Sequence, residues 1–367
     1  MEMGNVYFFT GFPGFISNRL LAKLLERKEA PEAIYALVLP EMTEKAESQR
    51  QNLLKMTGFP GEKFLVITGD ITRKGLGIDP DVQEKLAETV THVFHLAAIY
   101  DLAVPKDIAY KVNVEGTRNV NDWVRGLKSL RRYVYFSTAY VAGKREGVLY
   151  EHELVRPPAF KNYYEETKYE AEVLVDALKR EVPLTIIRPG IVKGHSQNGE
   201  TSKFDGPYFI LNLIDRLRFL PIFPGIGNTE AVVNLVPVDF IVDAVLYLSH
   251  AKTGEGKTYH LTDPRPYKVR EVYAMILKEM LGKTPKGRIP LPVLRAALSV
   301  PLIRRWLRTE KEVTDYFTWM GNFDSSQAQK DLGEAGIRCP DLKTQIPAMV
   351  KFYLENKNNE QYQLNIR

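Results

Sequence analysis

A glycine-containing turn near the amino terminus constrains the fold of this chain more than any other sequence feature. The apolar run at residues 5–10 predicts a buried strand, and leucines at helical spacing follow the turn. In such a strand–turn–helix unit, Gly11 permits a tight turn and Gly14 lets the backbone approach a pyrophosphate, whose charge the helix amide groups attract. Ser17 stands where the pattern has its third small residue. An ordinary strand-to-helix connection is the alternative, but we expect a dinucleotide site at Thr10, Gly11, Gly14, Phe15 and Ile16.

Strand and helix patterns continue to alternate after this unit. The further predicted strands cover residues 33–40, 64–71, 91–98, 132–138 and 183–188. Such alternation predicts an α/β fold of the Rossmann type, a doubly wound parallel sheet whose ligands bind beyond the carboxyl ends of the strands. With 367 residues, of which 44% are apolar, the chain is long enough to add a smaller, mostly helical substrate-binding domain.

The domain boundaries follow from these patterns. We assign residues 1–190 to the dinucleotide-binding domain, to which residues 232–262 return. Residues 191–231 and 263–356 form the predicted substrate-binding or lid region. Residues 357–367 are a polar tail that we expect to be frayed.

Small or polar residues follow several predicted strands at the edge where a ligand would bind. Asp70 can lie against an adenine amino group, and the small residues after the next strand let the backbone pass under a cofactor. Ser137 and Thr138 end another strand, and because side chains alternate between its faces, only one of these hydroxyls faces the site. We expect the cofactor to contact Asp70, Ile71, Ala97 and Ala98.

Tyr164 and Lys168 have the spacing of a proton donor and its modulator. Four residues apart at a helix start, they lie on one face, so the ammonium of Lys168 can sit beside the phenol of Tyr164. A neighbouring cation lowers the pKa of a phenol, and a shift of roughly 3 units corresponds to about 4 kcal/mol. The same spacing also occurs on solvated helices, so its meaning depends on the motifs that precede it.

In their order along the chain, these motifs resemble the extended short-chain dehydrogenase/reductase superfamily from about residue 4 to residue 265, with a weaker likeness to about residue 335. The motifs are the turn at 11–17, then 69–71, 95–98, 113–117, 136–138, Tyr164 with Lys168, 188–190 and 236–239. The resemblance implies that Tyr164 is the general acid and that Lys168 anchors the ribose and modulates the pKa of Tyr164. It also implies that Thr138 binds the substrate oxygen and that Asn113 completes a proton relay. It adds Pro189, Gly190 and Val192 to the cofactor residues, and leaves Ser137 as a hydrogen-bonded strand terminus.

Finer details are similar to the branch that reduces acyl thioesters, which includes fatty acyl-coenzyme A reductases and the terminal reductase domains of carboxylic acid reductases and peptide synthetases. These details lie at residues 69–78, 191–201 and 234–239. The branch implies hydride transfer to a thioester of coenzyme A or of an acyl carrier protein, which gives an aldehyde or an alcohol. An aldehyde or ketone reductase, a hydroxysteroid-type dehydrogenase and an NAD-dependent nucleotide-sugar epimerase or dehydratase are the alternatives on this scaffold.

The second predicted strand bears on the choice of nicotinamide. It ends near Leu39, where the thioester-reducing branch usually has an arginine. Arg50 matches a second basic position of that branch and Lys45 lies between them, whereas Glu41 would suit the ribose hydroxyl of NAD(H). We favour NADP(H) over NAD(H), with Arg50 as the phosphate ligand. The alternative role for Arg50 is a solvated helix charge.

Two apolar segments lie in the predicted substrate region. Tyr208, Phe209 and Phe219 would rim a pocket for an acyl chain, although aromatic residues at helical spacing more often form a core. Residues 289–308 combine apolar bulk with arginines and a tryptophan, which permits contact with an anionic membrane surface. This second segment, which Pro301 interrupts, could instead cover the substrate or meet the second subunit of a homodimer.

Composition excludes several classes of function. The formal charge of +5 is spread along the chain without basic runs that would indicate nucleic-acid binding. The single cysteine, Cys339, cannot form a disulfide within the chain, and the six histidines are scattered, so we expect no metal site. The sequence shows neither a signal peptide nor an apolar run of about 18 residues, so we expect a cytoplasmic enzyme.

Overall fold

The computed structural model describes residues 4–27, 29–100, 104–226 and 230–364. Within these residues, the centre of the molecule is a sheet of seven parallel strands. In chain order they are β1 (Val6–Thr10), β2 (Ala33–Val38), β3 (Phe64–Thr68), β4 (His92–His95), β5 (Arg132–Phe136), β6 (Leu184–Pro189) and β7 (Lys257–Leu261). Their order across the sheet is β3-β2-β1-β4-β5-β6-β7.

The strand order reverses at β1. Parallel pairing aligns Thr10 with Leu37 of β2 on one side and with His95 of β4 on the other. The carboxyl ends of the central strands therefore lie side by side, and an open α/β sheet binds its ligands in the crevice at such a reversal. The predicted doubly wound parallel sheet is confirmed.

Helices cover both faces of this sheet because alternate strand residues point to opposite sides. From β1, Phe9 packs in one core with Leu20 and Leu24, whereas Phe8 packs in the other core with Val120. The helices are α1 (Phe15–Leu25), α2 (Thr43–Thr57), α3 (Pro80–Thr89), α4 (Lys106–Tyr110), α5 (Gly116–Arg125), α6 (Tyr163–Asp176), α7 (Tyr208–Arg216), α8 (Val238–His250), α9 (Val269–Leu281), α10 (Leu291–Ser299), α11 (Pro301–Leu307), α12 (Ser326–Gly333) and α13 (Leu342–Asn356).

A separate hydrophobic core lies outside the sheet. It is formed by α7, α9 and α13, which contribute Leu211, Ile276 and Met349. These helices belong to the ranges expected for the substrate region. Short parallel strand pairs tie distant segments together, namely Gly147–Leu149 with Gly321–Phe323, Ile191–Lys193 with Leu235–Pro237, and Gly225–Ile226 with Arg288–Ile289.

Two segments differ from the predicted organisation. α12 lies in the range assigned to the substrate region, yet Ala328 and Leu332 pack into a core on the sheet. The buried carboxylate of Glu151 accepts hydrogen bonds from amide groups in the first turn of α12, which fixes the helix there. The polar tail, expected to be frayed, is packed as far as Tyr362, whose ring lies 5.3 Å from that of Phe204 between centroids.

Pro301 divides the apolar segment at residues 289–308, as the sequence predicts. α10 ends at Ser299 and α11 begins at Pro301, because a proline has no N–H for the helical hydrogen bond and is tolerated only in a first turn. Among the residues that the structure describes, no helix is both long enough and apolar enough to cross a bilayer.

Candidate functional site

The glycine turn between β1 and α1 forms one end of the candidate site. Gly11 has a left-handed backbone with φ of +84°, and a Cβ there would lie 2.7 Å from the amide nitrogen of Ala97. Only glycine fits this close approach. The hydroxyl of Ser17 lies 2.8 Å from the carbonyl oxygen of Gly11 and 3.0 Å from that of Gly14. Ser17 therefore braces the turn from the helix side.

The first amide groups of α1 point into this turn. The N-cap residue of α1 is Gly14, which has no side chain that could occupy the first N–H groups of the helix. Phe15 and Ile16 begin α1, and the N–H groups of a first helical turn lack acceptors within the helix. An uncapped helix start beside a glycine turn attracts a pyrophosphate. The residues present therefore fit a dinucleotide.

Thr10 ends β1, next to the glycine turn, and its side chain is fully buried. Its hydroxyl pairs with Nδ1 of His95 at 2.7 Å and accepts a hydrogen bond from the amide of Ala97 at 3.1 Å. The other ring nitrogen of His95 lies 3.1 Å from the hydroxyl of Thr117. Burial, assisted by the charge of Lys168, lowers the pKa of His95 to about 3, so the ring is neutral at pH 7. Thr10 therefore holds β1 and the segment after β4 together.

The residues predicted to surround the adenine follow β3. The carboxylate of Asp70 accepts a hydrogen bond from the amide of Thr72 at 2.8 Å. Ile71 is buried, and its carbonyl oxygen accepts a hydrogen bond from the side chain of Asn119 at 2.8 Å. The structure brings Asp70 and Ile71 to the carboxyl edge of the sheet, where half-buried Ala97 and Ala98 follow β4.

Arg50 lies at the opposite end of β3 from this edge. Its guanidinium donates to the carbonyl oxygens of Gly61 at 3.0 Å and of Phe64, the first residue of β3, at 2.9 Å. The carboxylate of Glu47 pairs with the two remaining nitrogens at 2.6 and 2.8 Å. The expectation that Arg50 binds a cofactor phosphate is therefore not supported, because α2 carries it back toward the amino ends of the strands.

Tyr164 and Lys168 share one face of α6, as predicted, but their polar ends separate. The amine of Lys168 donates to the phenol oxygen of Tyr135 at 2.9 Å and to the carbonyl oxygen of Phe136 at 2.5 Å. Burial lowers the pKa of Lys168 to about 7, although the charge of Glu172 acts in the opposite direction. The amine is thus held at the end of β5.

The phenol of Tyr164 is half-buried and makes no hydrogen bond within the described residues. Burial raises its pKa, and the charge of Glu165 raises it further. This direction is opposite to the lowering expected from Lys168, because the ammonium lies on Tyr135 instead. The phenol therefore stays protonated at neutral pH, which keeps it available as a proton donor.

Ser137 and Thr138 point to different partners after β5, as the alternation of strand side chains predicts. Ser137 donates to the carboxylate of Glu172, which also accepts a hydrogen bond from Nε of Arg188 at 2.8 Å. Thr138 accepts the amide hydrogen of Tyr140 at 3.2 Å, so its own hydroxyl hydrogen remains available to a substrate oxygen. The expectation that Ser137 is a hydrogen-bonded strand terminus is confirmed.

Asn113 lies in a π-helical turn, Lys111–Glu115, that joins α4 to α5. Its Oδ1 accepts the amide hydrogen of Ile99 at 2.9 Å, and its Nδ2 donates to the hydroxyl of Thr167 at 3.0 Å. Thr167 donates in turn to the carbonyl oxygen of Tyr163 at 2.8 Å. Such turns are frequent at functional sites. The structure thus links Asn113 to the first turn of α6, not to the phenol of Tyr164.

The segment after β6 borders the same edge. Pro189 ends β6, and a Cβ on the following Gly190 would lie 2.8 Å from Oδ1 of Asn234. That amide oxygen accepts the backbone N–H of Asp263 at 2.7 Å, just beyond β7. Val192 pairs with Val236 in a short parallel ladder. Gly190 is therefore needed for a close approach between the loops after β6 and β7.

Two neighbours of the Tyr164–Lys168 pair are not indicated by the sequence patterns used above. Glu172 is fully buried four residues after Lys168, and this helical spacing is the signal that would have identified it. Tyr100 packs edge-on against Tyr164, with 5.1 Å between ring centroids and an interplanar angle of 88°. No pattern in the sequence marks Tyr100, because its contact depends on where the loop after β4 lies.

The aromatic residues expected to rim an acyl pocket are not grouped. Tyr208 and Phe209 are 1% and 4% exposed in α7, whereas Phe219 is 69% exposed. Tyr208 belongs to the core outside the sheet, while Phe209 lines a small apolar pocket with Leu294 and Leu298 of α10. The alternative that aromatic residues at helical spacing form a core is confirmed for Tyr208.

Known proteins share this sequence pattern. Residues 9–245 match the family model described as Male sterility protein, an NAD-binding family. The chain is 26% identical over 305 residues to the non-canonical nonribosomal peptide synthetase cpsA of Aspergillus campestris, and the match covers 77% of this chain and 28% of the synthetase. It is 29% identical over 275 residues to fatty acyl-CoA reductase wat of Drosophila melanogaster, covering 65% of this chain and 53% of that protein. Both relatives are longer proteins, of which this chain spans less than two thirds.

Among solved structures, the terminal R domain from the myxalamid PKS-NRPS biosynthetic pathway has the same fold. Its TM-score is 0.80, and the match covers 97% of this chain and 92% of that domain. The two sequences are 24% identical. At this identity the likeness establishes the architecture, including the helices outside the sheet as well as the sheet.

Proposed function

This chain belongs to the male sterility protein family of NAD-binding enzymes, within the extended short-chain dehydrogenase/reductases, and from that premise we propose that it reduces an acyl thioester with a reduced nicotinamide. The observation that carries the proposal is the placement of Tyr164 and Thr138 at the same sheet edge as the glycine turn and the uncapped start of α1. Relatives named as a fatty acyl-CoA reductase and a peptide synthetase support an acyl substrate.

The residues at the carboxyl edge of the sheet suggest how a dinucleotide is held. Gly11, Gly14 and the first amide groups of α1 would bind the pyrophosphate, and Asp70 would face the adenine. Lys168 would donate to a ribose hydroxyl through the third N–H of its ammonium, because Tyr135 and Phe136 accept the other two. When bound, a reduced nicotinamide supplies the hydride that reduces the carbonyl carbon.

Tyr164 and Thr138 would act on the carbonyl oxygen. Negative charge develops on this oxygen as the carbon is reduced, and two hydroxyl donors stabilise that charge in a largely buried site. Tyr164 then transfers its proton to the oxygen, a step that its raised pKa permits because the phenol is protonated at neutral pH. From a thioester, the product is a hemithioacetal that collapses to an aldehyde and a free thiol. An aldehyde substrate gives an alcohol directly.

A substrate panel separates this proposal from its alternatives. Purified protein is mixed with NADPH or NADH and with acyl-coenzyme A thioesters, carrier-bound thioesters or the matching aldehydes, and both nicotinamide oxidation and thiol release are followed. Thiol release with one nicotinamide oxidised per thiol supports reduction of the thioester to the aldehyde, and two nicotinamides oxidised per thiol support reduction to the alcohol. Activity on aldehydes, ketones or hydroxysteroids alone indicates a simple carbonyl reductase or dehydrogenase. A tightly bound cofactor with turnover of nucleotide sugars and no net oxidation indicates an epimerase or dehydratase.

We propose NADP(H) as the preferred cofactor on the basis of Lys45 instead of Arg50. Lys45 is exposed in the first turn of α2, a few residues beyond the carboxyl end of β2. Its charge suits the 2′-phosphate of NADP(H). Glu41, exposed in the turn before α2, would suit the 2′-hydroxyl of NAD(H). These two side chains therefore act in opposite directions on cofactor choice.

We also propose that residues 280–309, here called the basic surface, contact an anionic lipid surface. Leu302 is 79% exposed and Trp306 is 47% exposed on α11. Exposed apolar residues in a stretch whose own charged residues are all basic suit the interface of an anionic membrane. The stretch contains no Asp or Glu, and its basic residues are Lys283, Lys286, Arg288, Arg295, Arg304, Arg305 and Arg308.

A further inference from the structure

A buried ion pair lies beside the proposed general acid. The side chain of Lys161 is 2% exposed, and its amine lies 3.6 Å from the carboxylate of Glu165, which is fully buried. The amine also donates to the carbonyl oxygen of Gly143 at 2.6 Å and lies 4.1 Å from the ring centroid of Trp319. Isolating two charges from water in this way is costly unless the arrangement is well hydrogen-bonded.

The pair is enclosed by a segment that is distant in sequence. The hydroxyl of Tyr316 donates to Oε1 of Glu165 at 2.9 Å across 151 residues of chain. The indole N–H of Trp319 donates to the carbonyl oxygen of Arg145 at 2.7 Å. Immediately after it, residues 321–323 pair with residues 147–149. The segment 316–323 is therefore fixed across the loop after β5 and the start of α6.

We propose that Lys161, Glu165 and Tyr316 form a clamp that positions Tyr164 for proton transfer. The inference rests on the proposed reductase function. Glu165 follows Tyr164 directly, and its backbone N–H donates to the side chain of Asn162 at 2.9 Å. Its carboxylate accepts both the Tyr316 hydroxyl and the backbone N–H of Lys161, the latter at 3.1 Å. Both ends of Glu165 are thus held, which fixes the turn of α6 that carries Tyr164.

The same contacts set the charge around the phenol. Burial raises the pKa of Tyr164 most, and the charge of the Glu165 carboxylate raises it further. Burial also raises the pKa of Glu165, and the charge of Lys161 opposes that rise. Because a general acid must be protonated, removing the charge of Glu165 lowers the pKa of Tyr164 and moves the alkaline limb of activity to lower pH. Other titratable or charged groups face this cluster from the packed elements, namely Tyr100, Tyr140, Lys144, Asp205 and Asp315.

Tyr316→Phe tests the clamp with a single lost hydroxyl. We expect kcat to fall about tenfold with KM for the nicotinamide unchanged, because a small misplacement of a catalytic group is costly. Tyr133→Phe is the matched control. It removes another buried tyrosine hydroxyl, which donates to Asn121 at 2.9 Å within the sheet core, and we expect its kcat to stay within about twofold of the original.

Glu165→Gln tests the pH dependence of activity, which would stay the same if Glu165 only stabilised the fold. The alkaline limb should shift to lower pH, and Lys161→Arg, which keeps the cation, should retain more kcat than Lys161→Met. If the single variants fail to fold, Lys161→Met combined with Glu165→Gln removes both charges of the pair and gives the same pH readout.

An unchanged kcat in Tyr316→Phe together with an unmoved alkaline limb in Glu165→Gln or the double variant would overturn the clamp. Tyr164→Phe, measured in parallel, separates a failure of the clamp from a failure of the reaction mechanism. Loss of turnover in Tyr164→Phe with no effect of the clamp variants refutes the clamp alone. Full activity in Tyr164→Phe refutes the reaction mechanism, and the clamp with it.

Discussion

Lys168 is held by contacts that its sequence neighbours do not reveal. The sequence places it one helical turn from Tyr164, and the structure turns its amine to Tyr135 and the carbonyl oxygen of Phe136. Both partners lie at the end of β5, more than thirty positions earlier in the chain. Helical spacing predicts which residues share a face, but the direction of a long side chain depends on the strands beneath it.

The burial of Lys168 predicts a pH dependence of stability. Its folded-state pKa is about 7 against a reference of 10.5, so between these pH values the unfolded chain binds more protons and the free energy of unfolding rises with pH. Below about pH 7 both states are protonated and this contribution is constant. Lys168→Met should remove a rise of up to about 5 kcal/mol. Urea unfolding of both proteins at several pH values from 6 to 10 measures the difference, and parallel curves would show that Lys168 is not responsible.

Cofactor preference should follow Lys45 and Glu41 instead of Arg50. We expect Lys45→Ala to lower the ratio of kcat/KM for NADPH to that for NADH by about tenfold, the effect of losing one charged contact of about 1.4 kcal/mol. Glu41→Ala should raise the same ratio. Arg50→Ala is the control, because its guanidinium is bound to Glu47 and to carbonyl oxygens at the start of β3. A ratio that falls only in Arg50→Ala would contradict this assignment.

At the scale of elements, the glycine turn should tolerate no side chain. Gly11→Ala adds a Cβ 2.7 Å from the amide nitrogen of Ala97 at a φ of +84°. We expect it to destabilise the protein by more than about 2 kcal/mol and to weaken nicotinamide binding. Gly58→Ala is the matched control, because φ there is +68° but no described atom lies within 4 Å of the added Cβ. Thermal unfolding and fluorescence titration with NADPH compare the two, and equal losses would mean that the close approach is unimportant.

The sequence predicts the helices and strands better than it predicts how they pack against one another. The strand and helix alternation and the break at Pro301 are confirmed, since each depends on local periodicity or on backbone chemistry. The placement of α12 is not predictable in this way, because it depends on the distant carboxylate of Glu151. The position of Arg50 is unpredictable for a similar reason, because its distance from β2 along the chain does not show to which end of the sheet α2 carries its side chain.

At the scale of the whole molecule, the charge distribution differs from what the net value suggests. A formal charge of +5 indicates a mildly basic surface, yet residues 280–309 carry only basic charges among exposed apolar residues. Acidic residues elsewhere in the chain offset these basic charges, so the net charge does not show that they are concentrated in one stretch. The structure adds that apolar side chains of this stretch, among them Leu302 and Trp306 on α11, are exposed beside the basic residues.

This surface predicts selective binding to anionic vesicles. We expect the protein to co-float with vesicles of phosphatidylcholine and phosphatidylglycerol but not with phosphatidylcholine alone, and to be released by salt. Leu302→Asp and Trp306→Ser should abolish flotation. Met56→Asp is the control, because Met56 is 75% exposed on α2, far from the basic surface in the fold. Absence from anionic vesicles would refute lipid contact, and a dimer broken by Leu302→Asp would assign the surface to a second copy.

The central claim is that Tyr164 donates the proton in a reduction of an acyl thioester, and its most direct test compares two adjacent tyrosines. Nicotinamide oxidation and thiol release from acyl-coenzyme A are measured for the original protein, Tyr164→Phe and Tyr163→Phe, whose target is 46% exposed on the same helix. We predict that Tyr164→Phe lowers kcat by at least about 100-fold while its affinity for the nicotinamide is kept, and that Tyr163→Phe stays within about twofold of the original. Undiminished thiol release by Tyr164→Phe would contradict the account.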